Sequence, residues 1–245
     1  MKKKYSRSVS LRNLSTHYCS GCGHGILHRL VAQAIDELGL REKTIGVAPV
    51  GCAVIAYDYW DFDVSEASHG RALAVATGIK RCLPDRIVFS YQGDGDLASI
   101  GLAETVHAAN RGESLTCIFV NNACYGMTGG QMAPTTIIGQ KTTTTPQGRN
   151  PRAGDGWPLA LSEMLKDLRG VSFLVRGSVA TPARVSQTYQ YIKKAFSNQV
   201  QNKGFSLVEV LSSCPTIWQK SPVESAKWIQ EEMVKEFPLG VIKDQ

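Results

Sequence analysis

Two sets of residues in this 245-residue chain have the types and spacing to do chemistry. The first is Gly93-Asp94-Gly95-Asp96, followed after 25 residues by Asn121-Asn122. Glycines at 93 and 95 let the backbone approach a diphosphate closely, and Asp94 and Asn122 offer the hard oxygens that magnesium takes. Either motif alone is weak, because Asp-Gly is a common turn pair and Asn-Asn readily ends a strand. The second set is the cysteines. Cys19 and Cys22 form a C-x-x-C ahead of Gly23-His24-Gly25, Cys52 follows Gly51, and Cys214 lies in Ser-Ser-Cys-Pro-Thr. Four thiolates drawn from one local pair and two distant positions could hold a zinc ion or a [4Fe-4S] cluster, and spacing alone does not choose. A structural zinc site more often uses two local pairs and staples a small module, which a chain of this length is not.

Strands and helices must bring these residues together. Ile26, Leu27, Leu30, Val31, Ala34, Ile35 and Leu38 repeat at helical spacing, closed by Gly39. Strands are predicted over 44–50, 87–92, 115–120, 171–177 and 205–211, and helices over about 71–82, 98–110 and 181–196, the last with Pro182 in its first turn. Alternating strands and helices predict an α/β fold, a mostly parallel sheet with helices on both faces. In such a sheet ligands bind beyond the carboxyl ends of the strands, where Gly51-Cys52, Gly93 to Asp96 and Asn121-Asn122 all fall. A helix starting near Ala98 would add its N-terminal dipole. From 123 to about 156 the chain turns to Gly, Thr, Pro and Gln, too long for a mere connection and therefore a functional loop.

Composition sets bounds. With 43% hydrophobic residues the chain can bury a full core without disulfides. One domain over 1–245 is expected, with an N-terminal cluster-binding segment of about 1–25 and a C-terminal extension of about 212–245. The net charge of +6 includes the Lys2, Lys3, Lys4 run, read as a solvated tail. The other basic residues are scattered among acids, which argues against nucleic acid as a partner. The basic start lacks the apolar segment of a signal peptide, and no stretch reaches the roughly 18 apolar residues that span a bilayer. A cytoplasmic location, away from any membrane, is therefore predicted, where seven cysteines argue for metal, cluster or buried-thiol roles rather than disulfides. Cys82 and Cys117 read as small buried hydrophobes, and Cys124 has only a backbone role. His24 and His107 are left without a role. Trp60, Trp157, Trp218 and Trp228 read as core or subunit-interface residues.

The GDGD and Asn-Asn elements at this spacing, with Tyr125-Gly126-Met127-Thr128-Gly129-Gly130-Gln131 after them, resemble the signature of thiamine-diphosphate enzymes. Taken with the cysteine pattern and the segments HGRALAVATGIK and YGMTGGQMAPTT, nearly the whole chain resembles the beta subunit of 2-oxoacid:ferredoxin oxidoreductases. The resemblance implies Mg²⁺ bound by Asp94, Asn122 and the Cys124 carbonyl. It implies a [4Fe-4S] cluster on Cys19, Cys22, Cys52 and Cys214. Thiamine diphosphate would lie against Val50, Gly51, Ala53, His69, Gly93, Gly95, Asp96, Tyr125, Gly126, Met127 and Thr128. The implied reaction converts a 2-oxo acid (2-oxoglutarate, or else 2-oxoisovalerate) and coenzyme A to acyl-coenzyme A and carbon dioxide, with electrons passed to ferredoxin. No catalytic acid is assigned here, because the glutamate that activates the cofactor is expected from an alpha subunit. Gamma and small ferredoxin-like subunits are further implied partners. A non-oxidative thiamine-dependent decarboxylase or synthase subunit would share GDGD and Asn-Asn but has no use for four convergent cysteines. A zinc-stabilised binding module leaves GDGD unexplained.

Overall fold

The structure is a computed structural model that describes residues 6–245; the Lys2, Lys3, Lys4 run lies outside the described residues. Seven strands form one sheet: β1 (Thr44–Ala48), β2 (Asp63–Glu66), β3 (Ile87–Gly93), β4 (Thr116–Asn121), β5 (Val171–Ser178), β6 (Phe205–Leu211) and β7 (Gly240–Asp244). Their order is β2-β1-β3-β4-β6-β5-β7, parallel throughout except for β7, which runs antiparallel along β5. The helices are α1 (His24–Glu37), α2 (Ala72–Cys82), α3 (Leu102–Arg111), α4 (Leu161–Leu165), α5 (Pro182–Val200), α6 (Pro215–Trp218), α7 (Pro222–Trp228) and α8 (Val234–Glu236).

The central strands are apolar along their whole length because both faces are covered. Alternation sorts their side chains: Phe89, Tyr91, Ile118 and Val120 face α1 and α5, whereas Val88, Cys117 and Phe119 face α2, α3 and α4. Each fully buried Phe or Leu in these layers contributes about 1.5–3 kcal/mol. One polar group is built into the sheet. Arg176 on β5, fully buried, pairs with Glu209 on the neighbouring β6 at 2.9 Å and with Glu163 of α4 at 2.6 Å. Thr181 caps α5 ahead of Pro182, as its sequence requires.

The structure departs from the sequence expectations in two places, the helix over 98–110 and the burial of Cys82. The helix expected over 98–110 is two pieces: a wide π-helical turn (Gly95–Ile100) entered directly from Asp94, then α3 after a break at Gly101. The helical amides therefore begin at the GDG motif itself rather than near Ala98. Cys82 is exposed, because it ends α2 on the face turned away from the sheet, while Cys117 is buried as expected. Trp157 is 73% exposed, whereas Trp60 is fully buried and Trp218 packs on Trp228 with ring centroids 4.4 Å apart. Finally, the C-terminal segment returns to the sheet through α6 to α8 and adds the edge strand β7. Among the described residues no helix is long and apolar enough to cross a membrane.

Candidate active site

Strands β1, β3 and β4 all end at one side of the sheet, and their exits line a cavity of about 360 Å³. Val50, Gly51, Ala53, His69, Gly93, Gly95, Asp96, Tyr125, Gly126, Met127 and Thr128 all line it, together with Asp94, Asn122, Cys124 and Cys52.

The oxygen cluster is built from the turns that follow β3 and β4. Asp94 caps the π turn by accepting from the Gly95 amide at 2.9 Å. Its other oxygen accepts from the Cys124 amide at 3.1 Å and the Thr135 hydroxyl at 3.0 Å. Burial pushes the Asp94 carboxyl up to about 7, against the lowering effect of these hydrogen bonds. Beside it the Asn122 side-chain oxygen faces only acceptors, Asp94 Oδ2 at 3.0 Å and the Cys124 carbonyl at 2.8 Å. Three oxygens facing one another can be reconciled by turning the amide so that its nitrogen donates, or by a cation held between them. The donor set of carboxylate, amide oxygen and backbone carbonyl is the hard-oxygen set magnesium takes, so these residues fit that ion.

The two asparagines divide their work. Asn121, fully buried, donates to Glu209 at 2.8 Å and accepts from the Ala123 amide at 3.1 Å, which holds the left-handed turn at Ala123 (φ 55°). That turn swings Asn122 and the Cys124 carbonyl toward Asp94.

The cysteines are drawn together by hydrogen bonds from distant segments. Cys22 closes a turn on the Cys19 carbonyl at 3.0 Å. The Ser213 hydroxyl donates to the Gly21 carbonyl at 2.6 Å, fastening this turn beside Cys214. The His17 ring joins the Cys52 carbonyl at 2.9 Å and the Tyr59 hydroxyl at 2.6 Å, which ties the N-terminal segment to Gly51-Cys52. A methyl group on Gly126 would stand 3.4 Å from both the Cys52 and Cys214 sulfurs and 3.7 Å from the Asn122 amide. Gly126 is therefore the point where thiols and oxygen cluster meet. Burial, reinforced by the charge of neighbouring sulfurs, pushes the Cys22 thiol up to about 12 and Cys52 up to about 11. Cys214 is held below the usual thiol range, chiefly through the buried Cys124 thiol. Thiols this crowded ionise together only beside compensating positive charge, which a bound metal centre provides. In that sense they fit one. Among the described residues no three His, Cys, Asp or Glu side chains close on a point that a single ion could share.

Several site residues were not anticipated from the sequence. His24, at the first turn of α1, lines the cavity and bonds the Tyr91 hydroxyl at 2.7 Å; burial pushes it down to about 4, so it is neutral. Its position directly after Cys22-Gly23 was the signal available. Arg149 is buried and donates to the carbonyls of Pro134, Thr136, Gly156 and Trp157, pinning the long loop from which Thr135 reaches Asp94. His17 gave no sequence signal, since its bonds depend on chain reversal.

Comparisons with known proteins agree with this geometry. Residues 50–210 match the family model "Thiamine pyrophosphate enzyme, C-terminal TPP binding domain". The ketoisovalerate oxidoreductase subunit VorA of Methanothermobacter thermautotrophicus is 52% identical over 231 residues, 94% of this chain and 48% of that protein. The 2-oxoglutarate synthase subunit KorB of Archaeoglobus fulgidus is 38% identical over 231 residues, 94% of this chain and 82% of that protein. The chain thus spans about half the length of the VorA relatives it matches. A solved structure of 2-oxoglutarate:ferredoxin oxidoreductase from Magnetococcus marinus superposes with a TM-score of 0.80 over 99% of this chain and 86% of that one, and at 23% identity it shows the shared fold. On the sequence match, the relatives and the fold together, the chain belongs to the thiamine pyrophosphate enzyme family and, within it, to the 2-oxoacid oxidoreductase subunits.

Proposed function

We propose that this chain is the thiamine-diphosphate-binding component of a heteromeric, coenzyme A-dependent 2-oxoacid:ferredoxin oxidoreductase, with an iron-sulfur cluster beside the cofactor. The observation that carries the reading is the junction at Gly126, where the sulfurs of Cys52 and Cys214 and the side-chain amide of Asn122, which reaches Asp94 and the Cys124 carbonyl, come within 3.7 Å of one point. When bound, thiamine diphosphate supplies the electron sink for decarboxylation of the 2-oxo acid, and a [4Fe-4S] cluster supplies one-electron steps.

The residues of this chain bind and orient. Asp94, Asn122 and the Cys124 carbonyl would hold Mg²⁺, and the amides that start at Gly95 would favour an anion there. The Tyr125 ring lies 3.0 Å from where a Gly95 methyl would be, so glycine at 95 keeps that approach open. Cys19, Cys22, Cys52 and Cys214 are the residues that would ligate the cluster. Apolar Ile100 and Met127, 49% and 58% exposed at the cavity, suit a face closed by a partner chain. The activating glutamate is expected from an alpha subunit. A gamma subunit, a small ferredoxin-like subunit and ferredoxin complete the proposed assembly, and 1–245 acts in it as one cofactor-binding unit.

For the substrate, the greater identity to the ketoisovalerate subunit moves the weight from 2-oxoglutarate toward a branched-chain 2-oxo acid such as 2-oxoisovalerate. The test is reduction of ferredoxin by the complex co-purified with its partner subunits. Reduction that needs coenzyme A and is faster with 2-oxoisovalerate than with 2-oxoglutarate is expected. Carbon dioxide release without reduction of ferredoxin would instead identify a non-oxidative thiamine enzyme.

A further inference from the structure

The middle of the sheet holds a cluster of charges that lies outside the cavity lining. Glu209 is the one charged side chain of β6 and is 1% exposed, flanked in sequence by Val208 and Val210 of the apolar core. Its Oε2 pairs with Arg176 Nε at 2.9 Å and accepts from the Ser162 hydroxyl of α4 at 2.6 Å. Its Oε1 accepts from the Asn121 side-chain nitrogen at 2.8 Å. Arg176, fully buried on β5, donates to the two carboxylate oxygens of Glu163 at 2.7 and 2.6 Å and to the Pro238 carbonyl at 3.0 Å. Taking such ions out of water is costly, and well-packed apolar residues in their place are often as stable or more so. The cluster is therefore explained better by what it holds in place than by stability.

What it holds is the Asn121 amide. The Asn121 oxygen accepts from the Ala123 amide at 3.1 Å, and Ala123 stands in the left-handed region at φ 55°. A residue with a side chain is strained there and persists only where its surroundings dictate the conformation. A carboxylate can only accept, so Glu209 admits the one orientation of Asn121 that leaves its oxygen to Ala123. We propose that Glu209 is a positioning residue of the metal site: it fixes the Asn121 amide, and the turn that this amide secures presents Asn122 and the Cys124 carbonyl to Asp94. The inference rests on the proposed Mg²⁺ and thiamine diphosphate site and names what aligns its ligands. Arg176 keeps the carboxylate in place and ties it to the C-terminal segment, where its guanidinium lies 5.4 Å from the centre of the Phe237 ring. Phe237 in turn packs in the same small core cluster as Ala123.

The experiment uses the full chain in its co-purified complex, stripped of thiamine diphosphate and divalent metal. Mn²⁺, standing in for Mg²⁺, is titrated with thiamine diphosphate present, and free Mn²⁺ is read by electron paramagnetic resonance well below each variant's melting temperature. Glu209→Gln is nearly isosteric and leaves Arg176 its bonds to Glu163, but the new amide accepts either orientation of Asn121. Loss of a group that orients metal ligands predicts Mn²⁺ binding weaker by about tenfold or more. Ser162→Ala removes a different hydrogen bond to the same carboxylate and is expected to leave Mn²⁺ affinity at the wild-type level, whatever stability it loses. Asn121→Asp combined with Glu209→Gln exchanges donor and acceptor across the contact. The carboxylate at 121 then accepts from both the amide at 209 and the Ala123 N–H, so most of the lost affinity is expected to return. Unchanged Mn²⁺ affinity in a folded Glu209→Gln protein overturns the proposal. So does an equal loss in Glu209→Gln and Ser162→Ala, which marks a contribution to stability alone. If Glu209→Gln does not fold by itself, Asn121→Asp with and without Glu209→Gln decides, and affinity that the second substitution fails to restore overturns the assignment. Wild type that binds no Mn²⁺ with thiamine diphosphate present overturns the cofactor site itself, a different result from tight wild-type binding that the substitutions leave untouched.

Discussion

Adjacent asparagines at the end of β4 perform unrelated tasks, and substitution separates them. Asn121→Ala removes the donor to buried Glu209 and the acceptor for the Ala123 amide, so a loss of about 1–3 kcal/mol in urea denaturation is expected. Asn122→Ala removes an amide that, when turned, donates to Asp94 at 3.0 Å and the Cys124 carbonyl at 2.8 Å. It should cost less stability than Asn121→Ala and abolish the Mg²⁺ dependence of thiamine diphosphate binding, read by calorimetry with and without the metal. Equal destabilisation by both would refute the division. The candidate site was largely legible at this scale, because GDGD, Asn-Asn and the cysteines bear their chemistry in their residue types. His17 and Arg149 were not, since their partners are backbone carbonyls far away in sequence, which no local pattern marks.

Among elements, the long apolar strands were legible from composition, being covered on both faces. The short edges were not: β2 is half exposed and polar, and β7 packs one side only, so neither carries an apolar run. The break that turns the expected single helix into a π turn and α3 is tertiary in origin. A methyl on Gly101 would lie 2.4 Å from the Asp96 carbonyl and 2.7 Å from that of Gly70, so the two turns meet backbone to backbone. Gly70→Ala is therefore expected to cost about 1–3 kcal/mol through positive φ and overlap with the Gly101 backbone. Thermal melting checks the effect; a variant with wild-type stability would show that the contact yields easily.

At the scale of the whole molecule, the parallel sheet delivers three strand ends to one cavity, and the N- and C-terminal segments bring thiols to its rim. Fold class followed from the alternation of strands and helices. How the ends of the chain converge did not, because Cys19 and Cys214 are brought together by bonds between residues far apart in sequence, from the Ser213 hydroxyl to the Gly21 carbonyl and from the Gly23 amide to the Ser213 carbonyl. The central claim is that these thiols hold a redox cluster beside a thiamine site. It is tested most directly by iron and acid-labile sulfide analysis, with an electron paramagnetic resonance spectrum after dithionite reduction. The sample is anaerobically purified complex, compared with the same complex carrying Cys52→Ser. Four irons and four sulfides per chain, beyond those of any ferredoxin-like partner, with a reduced-cluster signal lost in the Cys52→Ser complex, are predicted. Zinc, or no metal, at these cysteines would contradict the account and leave a thiamine site with no path for electrons.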